Sequence, residues 1–152
     1  MADIIHRVGI QATANKVYRA LSTILGLSHW WTQEVKGDEK VGGNITFTFR
    51  SLSGNLLGEM VMEIIRLDAA KEVEWKCIEG PPEWIGTAIT FQWSLQDNQV
   101  ILLFGHRNWK EPLEFMAHCS MKWAVFLLSL REYIETGKGK PSPHDLKIDN
   151  WN

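Results

Sequence analysis

The chain has 152 residues, 45% of them apolar, which suits one domain with a core of its own and argues against two. A formal net charge of −2, with the basic residues scattered, lacks the electrostatic footprint of a nucleic-acid binder. Cys77 and Cys119 lie far apart in apolar stretches without CxxC spacing, so they read as reduced buried thiols of a cytoplasmic protein, with no disulfide and no metal site expected. The first residues include Asp3, His6 and Arg7 with no apolar leader, and no run reaches the length of a membrane span, so integral membrane association is not expected. Nucleophile motifs, phosphate-binding glycine loops and nucleotide fingerprints are missing, and no cofactor is expected.

In chain order, Ile4, His6, Val8 and Ile10 alternate with Ile5, Arg7 and Gly9 and share one face of a first strand. Thr13 can cap a helix whose Val17, Leu21, Ile24 and Leu25 share a face, with Gly26 as its stop. Leu27 to Thr32, carrying Trp30 and Trp31, reads as a helical turn leading into an extended piece at Glu34 to Lys36; the two tryptophans would either close a cavity mouth or plug the sheet's corner, with plugging the expectation. Five further stretches alternate at period two. Their inward sets are Ile45, Phe47 and Phe49; Met60, Met62 and Ile64; Val73, Trp75 and Cys77; Ile89, Phe91, Trp93 and Leu95; and Val100, Leu102, Phe104 and His106. Most opposite faces are polar, which predicts an antiparallel sheet with one wet face, and Gln96-Asp97-Asn98 should make a tight hairpin. Only Glu79 to Trp84, with Gly80-Pro81-Pro82, is an irregular loop.

The stretch Glu111 to Thr136 predicts one long helix, with Pro112 in its first turn and Gly137 as its left-handed stop. Leu113, Met116, Ala117, Ser120, Trp123, Ala124, Leu127, Leu130 and Ile134 form one stripe, and Phe115, Cys119, Phe126 and Tyr133 widen it. Only a narrow polar strip of His118, Lys122, Ser129 and Glu132 is left. Beyond Gly137, Pro141 and Pro143 stop the helix, so Lys138 to Asn152 should lie along the surface as a mobile tail. An antiparallel sheet with one face to bury and a helix apolar on most sides satisfy each other when the sheet wraps the helix. The expected fold class is therefore α+β: a helix-grip fold of about seven antiparallel strands around a long C-terminal helix, with two short helices after the first strand.

The order Ala14-Asn15-Lys16-Val17-Tyr18-Arg19-Ala20-Leu21, His29-Trp30-Trp31, Gly42-Gly43, Lys122-Trp123 with Leu127 and Leu130, and Glu135-Thr136-Gly137 resembles the START/Bet v 1-like (SRPBCC) superfamily. Within it, the chain is similar to the activator of Hsp90 ATPase homologue 1-like branch, often labelled polyketide cyclase. The resemblance covers nearly the whole chain, with Thr13 standing where the family usually has a proline before its first helix. It implies one domain over residues 1–137 and a tail over 138–152. It also implies a cavity between sheet and helix for a small hydrophobic or amphipathic molecule, on a scaffold shared by enzymes, binders and co-chaperone domains, so fold alone does not choose among them.

The ligand-binding residues expected on that basis are His6, Met60, Met62, Trp75, Phe91, Trp93, His106, Met116, Ser120, Trp123 and Leu127. The aromatic and methionine side chains would line an adaptable cavity, though a filled core needs much the same residues. His6 and His106 should meet on neighbouring strands, where they could orient a ligand carbonyl or act in proton transfer, or be satisfied structurally by backbone. Whether there is turnover is left open. The competing expectation is a protein-interaction or co-chaperone module, with a protein partner or homodimer; a filled interior and an apolar outer patch would favour it, and an empty cavity would favour the binder.

Overall fold

Period-two alternation becomes seven strands in the computed structural model, which describes residues 1–152. β1 (Ala2–Ile10) is followed by α1 (Ala14–Ser22) and α2 (Ile24–Trp30). Six strands come next: β2 (Glu34–Gly37), β3 (Asn44–Arg50), β4 (Leu56–Asp68), β5 (Glu72–Glu79), β6 (Ala88–Gln96) and β7 (Gln99–Trp109). α3 (Glu114–Thr136) completes the order. The strands pair antiparallel in the order β1-β7-β6-β5-β4-β3-β2, so the first strand closes against the last. This is the expected α+β helix-grip fold. Asp97 and Asn98, at φ 51° and 63°, make the two-residue turn whose left-handed backbone matches the twist of β6 and β7.

The helices differ in detail from the sequence expectation. Thr23, not Gly26, separates α1 from α2, and its hydroxyl accepts from Gly26 N at 3.0 Å as the cap of α2. Gly26 is needed for close approach, because a Cβ there would lie 2.7 Å from Ala20 Cα. α3 begins at Glu114 rather than Glu111; Leu113 is extended at φ −113°, and Pro112 lies before the helix. Its end is as expected, with Gly137 left-handed at φ 87° and its N–H bonded to Tyr133 O at 2.7 Å.

The main correction concerns the polar strip of α3 and the tail. Lys122 and Ser129 are buried, whereas Ala117, expected inside, is exposed with Met121 and Leu128. The strip is covered because the tail folds back over it. Ser142 exchanges backbone hydrogen bonds with Trp31 and Gln33, and Lys140 N donates to Ser129 Oγ at 2.8 Å. The Lys122 ammonium donates to the buried carboxylate of Asp145, to Leu146 O at 3.0 Å and to Asn152 Oδ1 at 2.8 Å. His118 Nδ1 lies 2.7 Å from Asp149 Oδ2. Polar residues at helical spacing therefore hold a strap, and the prolines that stop the helix leave the tail bound to it.

Inside, Trp31 sits where sheet and helix meet. Its ring centroid is 4.4 Å from Phe47, 5.1 Å from Trp123 and 5.8 Å from Trp75. Trp31 thus fills the junction of sheet and helix.

Candidate functional site

The concave face places His106 at the centre of an aromatic cluster with no exposed surface. Its hydrogen bonds assign its tautomer. Trp123 Nε1–H can only donate, so it donates to His106 Nδ1 at 3.1 Å. The Thr87 hydroxyl spends its proton on Trp84 O at 2.6 Å, so His106 Nε2–H must donate to Thr87 Oγ1 at 2.8 Å. Burial pushes the imidazole down to about 3, which keeps it neutral. Both ring nitrogens are thus committed to the protein. His6 faces Phe104 across β1 and β7, and its Nε2 lies 3.0 Å from Ser120 O and 3.2 Å from Ser120 Oγ. This bond ties edge strand β1 to α3 and occupies the Ser120 hydroxyl.

The open volume lies at one end of the sheet–helix interior. It is an open-mouthed cavity of about 630 Å³ between β4, the β5–β6 loop, the first half of α3 and the tail. Trp31, Trp84, Cys119, Trp123 and Phe126 are buried side chains of its wall, with Met60 beside them and Phe49 and Phe115 nearer the mouth. Leu57 and Trp151, 63% and 51% exposed, stand at the rim. A second cleft of about 570 Å³ by Lys110 is weaker as a site, since Trp109 is its one buried wall residue and the rest are exposed.

Of the residues expected to bind a ligand, Met60 and Trp123 line the larger cavity. Met62, Trp75, Phe91, Trp93, His106 and Leu127 are buried in the aromatic core away from its wall, while Met116 and Ser120 are half-buried on α3 outside it. The sequence reading missed Trp84, because the loop after β5 carries no alternation to reveal an inward side chain. That loop folds against the strand ends, with Cys77 N bonded to Thr87 O and Gly86 N to Cys77 O, and this turns Trp84 inward, 4.5 Å from the His106 ring. It also missed Trp151, Asn152 and Ser142, which enter the wall through the tail.

Two donors lie near the wall. Burial pushes the Cys119 thiol up to about 12, and a hydrogen bond from the neighbouring Trp84 indole works the other way. That Nε1–H has no oxygen or nitrogen acceptor and is sealed among protein atoms beside the thiol rather than open to the cavity. Trp93 and Trp109 share that deficit, but neither lines this cavity. The other donor is Lys122, whose ammonium is held by the tail. The wall therefore offers apolar surface and one cation, a combination suited to an amphipathic molecule.

The sequence profile described as Activator of Hsp90 ATPase homolog 1-like protein matches residues 11–135. Among solved structures, the Aha1 dimer from Colwellia psychrerythraea is 42% identical, with a TM-score of 0.77, covering 91% of this chain and 100% of that one. CalU16 from Micromonospora echinospora is similar at 20% identity and TM-score 0.70, covering 93% of this chain and 77% of its own. The AHSA1-like protein from Aeromonas hydrophila is similar at 13% identity and TM-score 0.73, covering 90% and 94%. At such identities the last two speak for the fold alone. No functionally curated protein matches the sequence. No helix is long and apolar enough to cross a membrane.

Proposed function

Because the chain belongs to the Activator of Hsp90 ATPase homolog 1-like family, we propose that it binds a small hydrophobic or amphipathic molecule in the cavity beneath Met60, Trp84 and Trp123. The observation that carries this reading is an open-mouthed cavity of about 630 Å³ walled by the buried, largely apolar side chains of Trp31, Trp84, Cys119, Trp123 and Phe126. Ligand pockets typically run about 300–1,000 Å³ with a few placed polar groups, and this one matches in size and in kind. Proton-transfer chemistry of the cyclase type would fall to His118, the imidazole on that wall. Both cysteines are buried free thiols, which supports a reducing cytoplasm as the place of action. The test is a fluorescence titration with N-phenyl-1-naphthylamine. Wild type should take up the dye and Cys119→Phe, which fills the cavity, should lose most of the uptake at unchanged far-UV circular dichroism; equal uptake by both would reject the site.

A second reading, a protein-interaction module or homodimer, is favoured by a separate observation. Met121 and Leu128 are 56% and 49% exposed on the outer face of α3, next to exposed Ala117. An apolar stripe on a helix of this kind suits a partner surface, and the Colwellia psychrerythraea relative was solved as a dimer. Analytical ultracentrifugation of wild type and Met121→Lys tests it: a dimer lost in the variant supports this face, and identical sedimentation rejects it.

A further inference from the structure

The two cationic or protonatable groups on the cavity wall, Lys122 and His118, are each met by an acid of the tail, and they sit one helical turn apart. Asp145 is 4% exposed and shared between Lys122 and Lys147, the latter at 3.2 Å. Asn152 adds an amide oxygen to Lys122 and, with Trp151, forms part of the cavity wall. The tail thus presents to α3 what an amphipathic anion would present: a carboxylate at Lys122, and an aromatic ring, Trp151, 5.3 Å from the His118 ring. Lys122 also lies 5.1 Å from the Phe126 ring centroid, so any anion reaching it arrives beside apolar surface.

Resting on the cavity reading above, we propose that residues Asp145–Asn152 are a displaceable strap, and that the cavity's ligand is a single-chain amphiphile with a carboxylate head that replaces Asp145 at Lys122. At Lys122 one carboxylate takes the place of another and the released Asp145 keeps Lys147 as a partner in water, so the ligand's apolar chain has to offset only the lost bonds from Lys122 to Leu146 O and Asn152 Oδ1 and the His118–Asp149 contact. An uncharged amphiphile makes no such exchange and leaves the strap in place. The strap is therefore released by one charge class of ligand, whereas an uncharged one occupies the open-mouthed cavity with the strap in place.

The experiment compares decanoate with decanol, which share a chain and differ in the head. By calorimetry at pH 8, Asp145→Asn should raise the affinity for decanoate relative to decanol about tenfold, the effect of freeing one charge-assisted hydrogen bond. Lys122→Met should remove the preference for decanoate. A wild-type measurement guards against variants that fail to fold: decanoate, but not decanol, should speed hydrogen exchange of the amides in 145–152. If decanol and decanoate both fail to bind wild type, the cavity reading itself falls. If decanol binds while decanoate leaves exchange in 145–152 unchanged, or a folded Asp145→Asn keeps the wild-type ratio, the strap is overturned and the cavity reading stands.

Discussion

The two ends of the sheet–helix interior use the same kinds of side chain and reach opposite outcomes. At one end, Phe91, Phe104, Leu127 and Leu130 are fully packed, because α1 and α2 bring Val17, Leu21, Leu27 and Trp30 down onto them. At the other, Met60, Trp84, Cys119 and Trp123 surround open space, because what covers that end is the tail, which contributes mainly polar groups and the half-exposed ring of Trp151. Aromatic content does not decide between core and cavity. What decides is whether the covering segment has apolar side chains to insert.

The packed end should be broken most severely. Phe91→Ala, with no exposed surface at that ring, should cost about 3–5 kcal/mol in chemical denaturation. Next comes the strap, where Lys122→Met leaves the buried Asp145 carboxylate with Lys147 alone; about 3 kcal/mol is expected, together with faster proteolysis after residue 140. A pH series then sharpens the contrast at His106. Its imidazole is held down to about 3 in the folded protein and titrates near ~6.5 when unfolded. Between those values the unfolded chain binds the extra proton, so stability is lost as the pH falls through this window and is constant in this respect above it. His106→Phe lacks that loss, so its denaturation midpoint, lower than wild type at pH 7, should approach the wild-type value by pH 4. Parallel curves would mean that the imidazole is not buried neutral. The smallest effect belongs to the cavity rim, where Leu57→Ala should change stability by less than about 0.5 kcal/mol while weakening dye uptake.

Much of the fold was legible because alternation and helical spacing are direct records of burial. The inward faces of β1 and β3 to β7, the Asp97-Asn98 turn and the Gly137 stop follow from local patterns, whereas the pairing of β1 with β7 was implied by the family resemblance. Leu95 departs from its inward set, being 73% exposed near that turn, where β6 runs past the core. The cavity was less legible. Spacing tells which side chains point inward, but not whether another segment arrives to fill the space before them, so Met62, Trp75 and Phe91 looked like cavity wall as much as Met60 did. Trp84 was hidden in a loop without periodicity, and the strap was hidden because the polar strip of α3 looks the same whether water or Asp145, Asp149 and Asn152 satisfies it.

Indole N–H resonances give the most direct test of the central claim, since each of the eight tryptophans carries its own reporter. Trp30 Nε1–H is bonded to Ala20 O at 2.9 Å and Trp123 Nε1–H to His106, whereas Trp84 Nε1–H has no oxygen or nitrogen acceptor. On titration with decanol, the signals of the wall indoles Trp84 and Trp123 should shift as the alkyl chain packs against their rings, with Trp30 unmoved. A saturable shift of Trp30, or of exposed Trp151 alone, with Trp84 unchanged would place the ligand elsewhere and contradict the account.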